Sequence, residues 1–231
     1  MGIYVFNTEY LLEALHTVRE HDFGKHIIPK AVANDRVYAF LFKGYWRDVG
    51  TIKSYWDGNM DLLDPNSGLD LENWHVRTNV EEEGRISDRP PAALKPGCLV
   101  QNSVISPGCI IEGYVENSVI SPGVHVGKGA RVKNSVVMHN TKILARAEIE
   151  NCILDKIITV GENAKIGISE QNIPNREFPD HLDCGLVVIG KGAVIPADCI
   201  IGTNVIVYPY VKASDFPNGE VASGMTIHKK S

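Results

Sequence analysis

The strongest constraint on this chain is an apolar period of six. Asn102-Ser103-Val104 recurs as Asn117-Ser118-Val119, Asn134-Ser135-Val136 and Asn151-Cys152-Ile153, at separations of 15, 17 and 17 residues. Self-similarity at a short fixed period marks a stacked repeat architecture. Inside each unit, apolar and mostly β-branched residues step by six: Ile120, Val126, Val132; then Val137, Ile143, Ile149; then Leu154, Val160, Ile166. A later set, Val188, Val194, Ile200 and Ile206, keeps the same step. Six residues hold one short strand and one turn. Three such units per coil give a triangular solenoid whose inward residues stack from coil to coil, a parallel β-helix. Ser106-Pro107-Gly108, Ser121-Pro122-Gly123 and Gly127-Lys128-Gly129 supply the sharp bends between faces. The spacing places Ile120, Val126, Val132, Ile143, Ile149, Val160, Ile166, Val194 and Ile200 inside. Between Ile168 and Gly185 the pattern lapses, which predicts a loop excursion from the solenoid.

The first 64 residues read differently. Gly2 to Phe6 is short, apolar and β-branched, as in a buried strand. A helix follows, with Asn7 or Thr8 as cap and Leu11, Leu12, Leu15 and Val18 at helical spacing on one face. Arg36 to Trp46 is a second strand region, and a second helix begins near Thr51, with Ile52, Tyr55, Trp56, Met60 and Leu63 as its apolar stripe. The chain thus divides into an α/β segment (1–64), a linker rich in Pro, Gly and Glu (65–91) and the β-helix (92–231).

Several function classes are excluded early. A net charge of −5 with scattered basic residues offers no footprint for nucleic acid or an anionic membrane. No apolar run approaches the ~18 residues that span a bilayer, and the N-terminus does not read as a signal peptide. The five cysteines form no C-x-x-C pair, so reduced thiols in a cytoplasmic chain are expected.

Asp48 stands between the end of the second strand region and the next helix, where α/β folds gather ligand groups. A carboxylate there can hold Mg²⁺ or can simply cap the helix. Asp22-Phe23 precedes Gly24-Lys25, a turn offering a carboxylate for sugar hydroxyls and a ring for an apolar sugar face. Three stretches, Met1-Gly2-Ile3-Tyr4-Val5-Phe6, His21-Asp22-Phe23-Gly24-Lys25-His26-Ile27-Ile28-Pro29 and Tyr45-Trp46-Arg47-Asp48-Val49-Gly50-Thr51, resemble successive motifs of glucose-1-phosphate adenylyltransferase (ADP-glucose pyrophosphorylase) in order and spacing. Trp74-His75-Val76-Arg77-Thr78 and the β-helix are similar to that family's carboxyl-terminal region.

The resemblance implies a mainly β fold, a left-handed parallel β-helix of hexapeptide repeats preceded by an incomplete α/β nucleotidyltransferase segment. It implies that Tyr4, Asp22, Phe23 and Trp46 bind glucose 1-phosphate and that Asp48 is one of two Mg²⁺-holding aspartates. The implied reaction, in glycogen or starch biosynthesis, joins glucose 1-phosphate to ATP and releases ADP-glucose and pyrophosphate.

The family's Gly-rich nucleotide loop has no counterpart in these residues; Gly127-x-Gly129 and Gly190-x-Gly192 read as solenoid turns. The expectation is therefore the carboxyl-terminal portion of such an enzyme, inactive alone, working as a homo-oligomer or with a full-length subunit. Two alternatives stand beside it: a non-catalytic regulatory or assembly subunit, and a hexapeptide-repeat acyltransferase using His125 or His139 as general base.

Overall fold

The computed structural model describes residues 2–17, 22–74, 89–169, 171–217 and 219–230. The chain separates into two units, Met1–Asp48 and Val49–Ser231.

In the second unit, strands of two or three residues run from Ala93–Leu94 to Thr226–Ile227 and stack into three parallel sheets. The first sheet has six strands, among them Ile110–Ile111, His125–Val126, Lys142–Ile143, Thr159–Val160 and Val194–Ile195. The second has seven, including Tyr114–Glu116, Arg131–Lys133, Glu148–Glu150, Lys165–Ile166 and Ile200–Ile201. The third also has seven, including Val119–Ile120, Val136–Val137, Cys152–Leu154, Val187–Ile189 and Ile206–Val207. Each strand pairs with its equivalent one coil away, so every pairing is parallel: Val126 with Ile143, Ile143 with Val160, Val132 with Ile149. This is the solenoid that the period of six predicts, and its form is that of the left-handed hexapeptide β-helix.

The core is the stack of inward residues. Ile120, Val126, Val132, Val137, Ile143, Ile149, Leu154, Val160 and Ile166 are all buried in one cluster. Each such side chain contributes ~1.5–3 kcal/mol of transfer free energy. The last predicted set is out of register by one. Val194 and Ile200 are 39% and 43% exposed, and Val188 and Ile206 lie on the outside of the third sheet. Their neighbours Ile189, Ile195, Ile201 and Val207 face inward and continue the stacks of Leu154, Val160 and Ile166. The excursion after Ile166 breaks the count, and Val188-Ile189, Val194-Ile195, Ile200-Ile201 and Ile206-Val207 are each two apolar residues in a row, so the period alone could not choose between them. The turns could. Aligning Val126-Gly127-Lys128-Gly129 with Ile189-Gly190-Lys191-Gly192 puts Ile189 inside.

The corner between the second and third sheets explains the repeated Asn-Ser. Asn102, Asn117, Asn134 and Asn151 all have left-handed backbone, with φ between 40° and 52°, a conformation that Asn tolerates far better than β-branched residues. The serine hydroxyl beside each of the first three bridges two coils. Ser118 Oγ donates to the Glu116 carbonyl (2.7 Å) and accepts from the Ser135 amide (3.1 Å), and Ser135 repeats the pattern with Lys133 and Cys152. Buried hydroxyls and amides are thereby satisfied inside the wall.

The outer face of the third sheet is coated by a helix and by the excursion. Helix α3 (Ile52–Met60), capped where expected by Thr51, whose Oγ1 accepts from the Ser54 amide (3.1 Å), lays Ile52, Tyr55 and Trp56 against it. The Trp56 indole Nε1–H donates to the Asn134 carbonyl at 2.9 Å. The predicted excursion is present, and it is pinned. Asn175 is fully buried; its Nδ2 donates to the carbonyls of Asn204 (3.0 Å) and Met225 (3.2 Å), and its Oδ1 accepts from the amides of Glu177 (3.1 Å) and Phe178 (3.0 Å). Asn204 answers from the solenoid, its Nδ2 donating to Asn172 Oδ1 (2.7 Å) and the Ile173 carbonyl (2.9 Å) while its Oδ1 accepts from the Gly185 amide (2.7 Å). Leu182 and Leu186 complete an apolar cluster with Ile153 and α3.

In the first unit, helix α1 (Thr8–Thr17) begins as expected, with Asn7 Oδ1 accepting from the amides of Glu9 (3.0 Å) and Tyr10 (3.3 Å). Val18, the last residue of its predicted stripe, lies outside the described residues. A π-helical turn (Phe23–Ile27) runs into helix α2 (Ile28–Asn34), and Ile27 and Ala31 form its small buried core. The two predicted strands are not formed. Gly2–Phe6 and Arg36–Trp46 are irregular, because a strand exists only by pairing.

The predicted linker contains a short helix, α4 (Leu71–Trp74). Residues 75–88, with the acidic run Glu81-Glu82-Glu83 and most of the Trp74–Thr78 motif, lie outside the described residues.

Candidate functional site

Four of the five singled-out residues are aromatic or acidic side chains held on non-repetitive backbone, and all five fall in the first unit. Phe6 is the hub that the sequence reading missed. Its ring lies 6.4 Å from Tyr4, 6.0 Å edge-on from Phe23 and 6.4 Å stacked from Tyr10, centroid to centroid. Such tilted and edge-to-face pairs contribute ~0.5–1.5 kcal/mol beyond burial. The cluster thus brings Tyr4 and Phe23 to one locus, from segments about twenty residues apart in sequence. The signal for Phe6 was available: it has the same strand parity as Tyr4.

Asp22 sits beside this cluster as the cap of the π-helical turn, its Oδ1 accepting from the Lys25 amide at 2.9 Å. Its Oδ2 is 4.0 Å from the exposed Lys25 ammonium. An exposed carboxylate with lone pairs to spare, next to a ring and a cation, can accept sugar hydroxyls while the cation faces an anionic group. Below the cluster, the Tyr10 hydroxyl donates to Asp35 Oδ2 (2.6 Å), and this bond raises the phenol's pKa above its ordinary value.

Trp46 and Asp48 lie outside the aromatic cluster, both exposed, on the irregular stretch ahead of α3. The alternative role for Asp48, capping that helix, belongs to Thr51 instead. Asp48 is left as a solvent-facing carboxylate. Among the described residues, no group of three or more His, Cys, Asp or Glu side chains comes together as a metal site. That does not disqualify Asp48 as one ligand, since Mg²⁺ is commonly held by one or two carboxylates together with substrate phosphates. It fits as one donor and not as a complete site.

The histidines of the acyltransferase alternative are placed on the solenoid. His125 is half-buried on the first sheet, its Nε2 3.2 Å from Glu112 Oε2. His139 is buried at a corner, with little surface to offer an acyl substrate. Among the described residues, no helix is long and apolar enough to cross a membrane.

Residues 1–65 match the family model "Nucleotidyl transferase" and residues 93–189 match "GlmU-like, C-terminal hexapeptide". The chain is 40% identical to the glucose-1-phosphate adenylyltransferase of Acetivibrio thermocellus over 99% of its own length and 54% of the relative's. It is 42% identical to that of Thermomicrobium roseum over the same shares, 99% and 54%. For the enzyme of Thermotoga neapolitana the values are 40% identity, 97% of this chain and 53% of the relative. The chain spans about half the length of the curated relatives it matches.

Proposed function

We propose that this chain, a relative of glucose-1-phosphate adenylyltransferases over nearly its whole length, carries the sugar-phosphate side of that reaction. One observation carries the reading: the nucleotidyl transferase match over residues 1–65 includes Tyr4, Asp22, Phe23, Trp46 and Asp48, the five residues singled out for substrate and metal. In the complete reaction a phosphate oxygen of glucose 1-phosphate bonds to the α-phosphorus of ATP. The bond from that phosphorus to the bridging oxygen breaks, and pyrophosphate leaves.

This chain's residues would contribute binding and orientation. Tyr4, Phe23 and Trp46 offer rings to the apolar face of the glucose, and Asp22 accepts its hydroxyls. Fixing one reactant in line with the other supplies much of the rate in phosphoryl transfer. Asp48 would provide one carboxylate to Mg²⁺, which neutralises charge on the phosphates when bound. The 231 residues contain no G-x-G-x-x-G or Walker A phosphate loop. The chain by itself is therefore expected to make no ADP-glucose. Its working form would be cytoplasmic and oligomeric, with copies of itself or with a full-length subunit.

The test is a chimera in which this chain replaces the aligned portion of the Acetivibrio thermocellus enzyme. Pyrophosphate release from ATP and glucose 1-phosphate should appear in the chimera, be absent from the chain alone, and fall about a hundredfold or more with Asp48→Asn. A chimera that folds and stays inactive would refute the reading. A regulatory-subunit role would instead show as copurification with a catalytic subunit that keeps its own turnover.

A further inference from the structure

The outer face of the second sheet carries a charge pattern with a symmetry of its own. One column of outward residues, paired coil to coil, reads Leu99, Tyr114, Arg131, Glu148, Lys165 and Ile200. Beside it runs a second column, Gln101, Glu116, Lys133 and Glu150. Contacts within the face link neighbours in both columns. The Arg131 guanidinium lies 5.4 Å from the centre of the Tyr114 ring, and Lys165 Nζ and Lys133 Nζ stand 3.7 Å from Glu148 Oε1 and Glu150 Oε1. The apolar ends are open to solvent: Leu99 is 55% exposed, Tyr114 40% and Ile200 43%.

Turned end over end, the first column matches itself. A two-fold axis along the strands, midway between the coils of Arg131 and Glu148, sets Arg131 against Glu148 of a second copy, Tyr114 against Lys165 and Leu99 against Ile200. In the second column it sets Lys133 against Glu150. Glu220, the next residue beyond Ile200, falls past the second copy's Leu99. Moving the axis by half a coil puts Arg131 on Arg131 or Glu148 on Glu148. We infer that this face is an interface between two copies of the chain, packed with their solenoids antiparallel in this register. The inference rests on that part of the proposed function which makes the working form an oligomer, and names its surface. A second copy is the occupant because the six charges, Arg131, Glu148, Lys165, Glu116, Lys133 and Glu150, cancel. Such a face has no general attraction for a polyanion or a polycation, whereas its alternation fits the reversed alternation that the same face supplies. Exposed ion pairs contribute little affinity, so burial of Leu99, Tyr114 and Ile200 drives association and the charges set the register. Six coils at ~4.8 Å and a face ~16 Å wide give ~450 Å² per copy. That is the low end of specific interfaces, which suits a dimer forming at tens of micromolar.

The experiment measures sedimentation of the full 231-residue chain from about 1 to 300 µM. The expected result is reversible growth from 25.4 kDa to twice that mass, with a Kd that rises with salt. Arg131→Glu and Glu148→Arg, both outside the core, should each weaken self-association about tenfold or more by setting like charges against each other. Mixed one to one, the two variants should associate about as well as the parent chain, because each then meets an opposite charge at both contacts. Recovery on mixing also shows that both variants are folded. The inference is overturned by a chain that stays monomeric throughout the range, by a dimer that either variant leaves intact, or by variants that stay apart when mixed. ADP-glucose synthesis by the chimera is assayed separately. An inactive chimera, with a parent chain that dimerises as described, would refute the proposed sugar chemistry and leave the interface standing.

Discussion

Replacing Asn175 with Ala should destabilise the excursion and little else. The side chain is fully buried, its amide donates to two carbonyls, and its oxygen accepts two backbone N–H groups. Alanine removes these four bonds and leaves the Glu177 and Phe178 amides and the Asn204 and Met225 carbonyls to find other partners. At ~0.5–1.5 kcal/mol net for each bond, and more for any group left dry, the loss is ~3–4 kcal/mol. For a unit of this size, that lowers the melting temperature by roughly 10 °C. Because a solenoid's coils contact only their neighbours, the damage should stay local. Hydrogen exchange should accelerate across residues 171–186 and in the last coils while residues 119–150 keep their protection. Asn172→Ala, which removes one bond from an exposed residue, is the control and should cost under ~1 kcal/mol. A Tm for Asn175→Ala within 2 °C of wild type, a margin of roughly 1 kcal/mol, would refute the assignment of Asn175 as the pin.

Three further outcomes test the solenoid. Val126→Asp places a charge in an apolar stack with no partner and should cost several kcal/mol, seen as a large fall in melting temperature. Ile157 is a β-branched residue at φ 62°, 55% exposed, at a corner where the preceding coil has Asn140 at φ 57°. Ile157→Asn should therefore stabilise by ~1 kcal/mol in chemical denaturation, since the left-handed conformation costs a β-branched residue more than Asn. Burial pushes the thiols of Cys152, Cys109 and Cys199 up from their ordinary value of 9.0. Near pH 8 the native chain should be alkylated at the half-buried Cys98 and Cys184 while those three react only on unfolding. The unfolded chain gives up these protons before the folded chain does, so stability should fall as pH rises past the ordinary thiol range.

The period of six made the solenoid legible because each inward position repeats one physical demand, a β-branched side chain in a dry stack. The same signal failed after the excursion, where Val188-Ile189, Val194-Ile195 and Ile200-Ile201 offer two apolar residues for one inward place. Only the glycine turns carried the register there. The α3 stripe was readable but not its destination. Tyr55 and Trp56 look like any amphipathic face, and nothing local says that they lie on the third sheet. The pinning of the excursion was hidden because Asn175 and Asn204 read as loop residues until their partners, about thirty and fifty residues away in sequence, are known. At the candidate site, the residue types were legible and their assembly only partly so. Tyr4 and Phe23 meet through Phe6, and Asp22 comes with Phe23 as its neighbour in the chain, whereas the failure of Gly2–Phe6 and Arg36–Trp46 to form strands depends on pairing that no single segment encodes.

The claim that this chain holds the sugar-phosphate side of an adenylyltransferase is tested most directly by steady-state kinetics on the chimera with Trp46→Ala. An aromatic ring that binds only the glucose moiety should, when removed, raise KM for glucose 1-phosphate about tenfold or more and leave KM for ATP within about twofold. A rise confined to the ATP term, or unchanged kinetics for both substrates, would contradict the account.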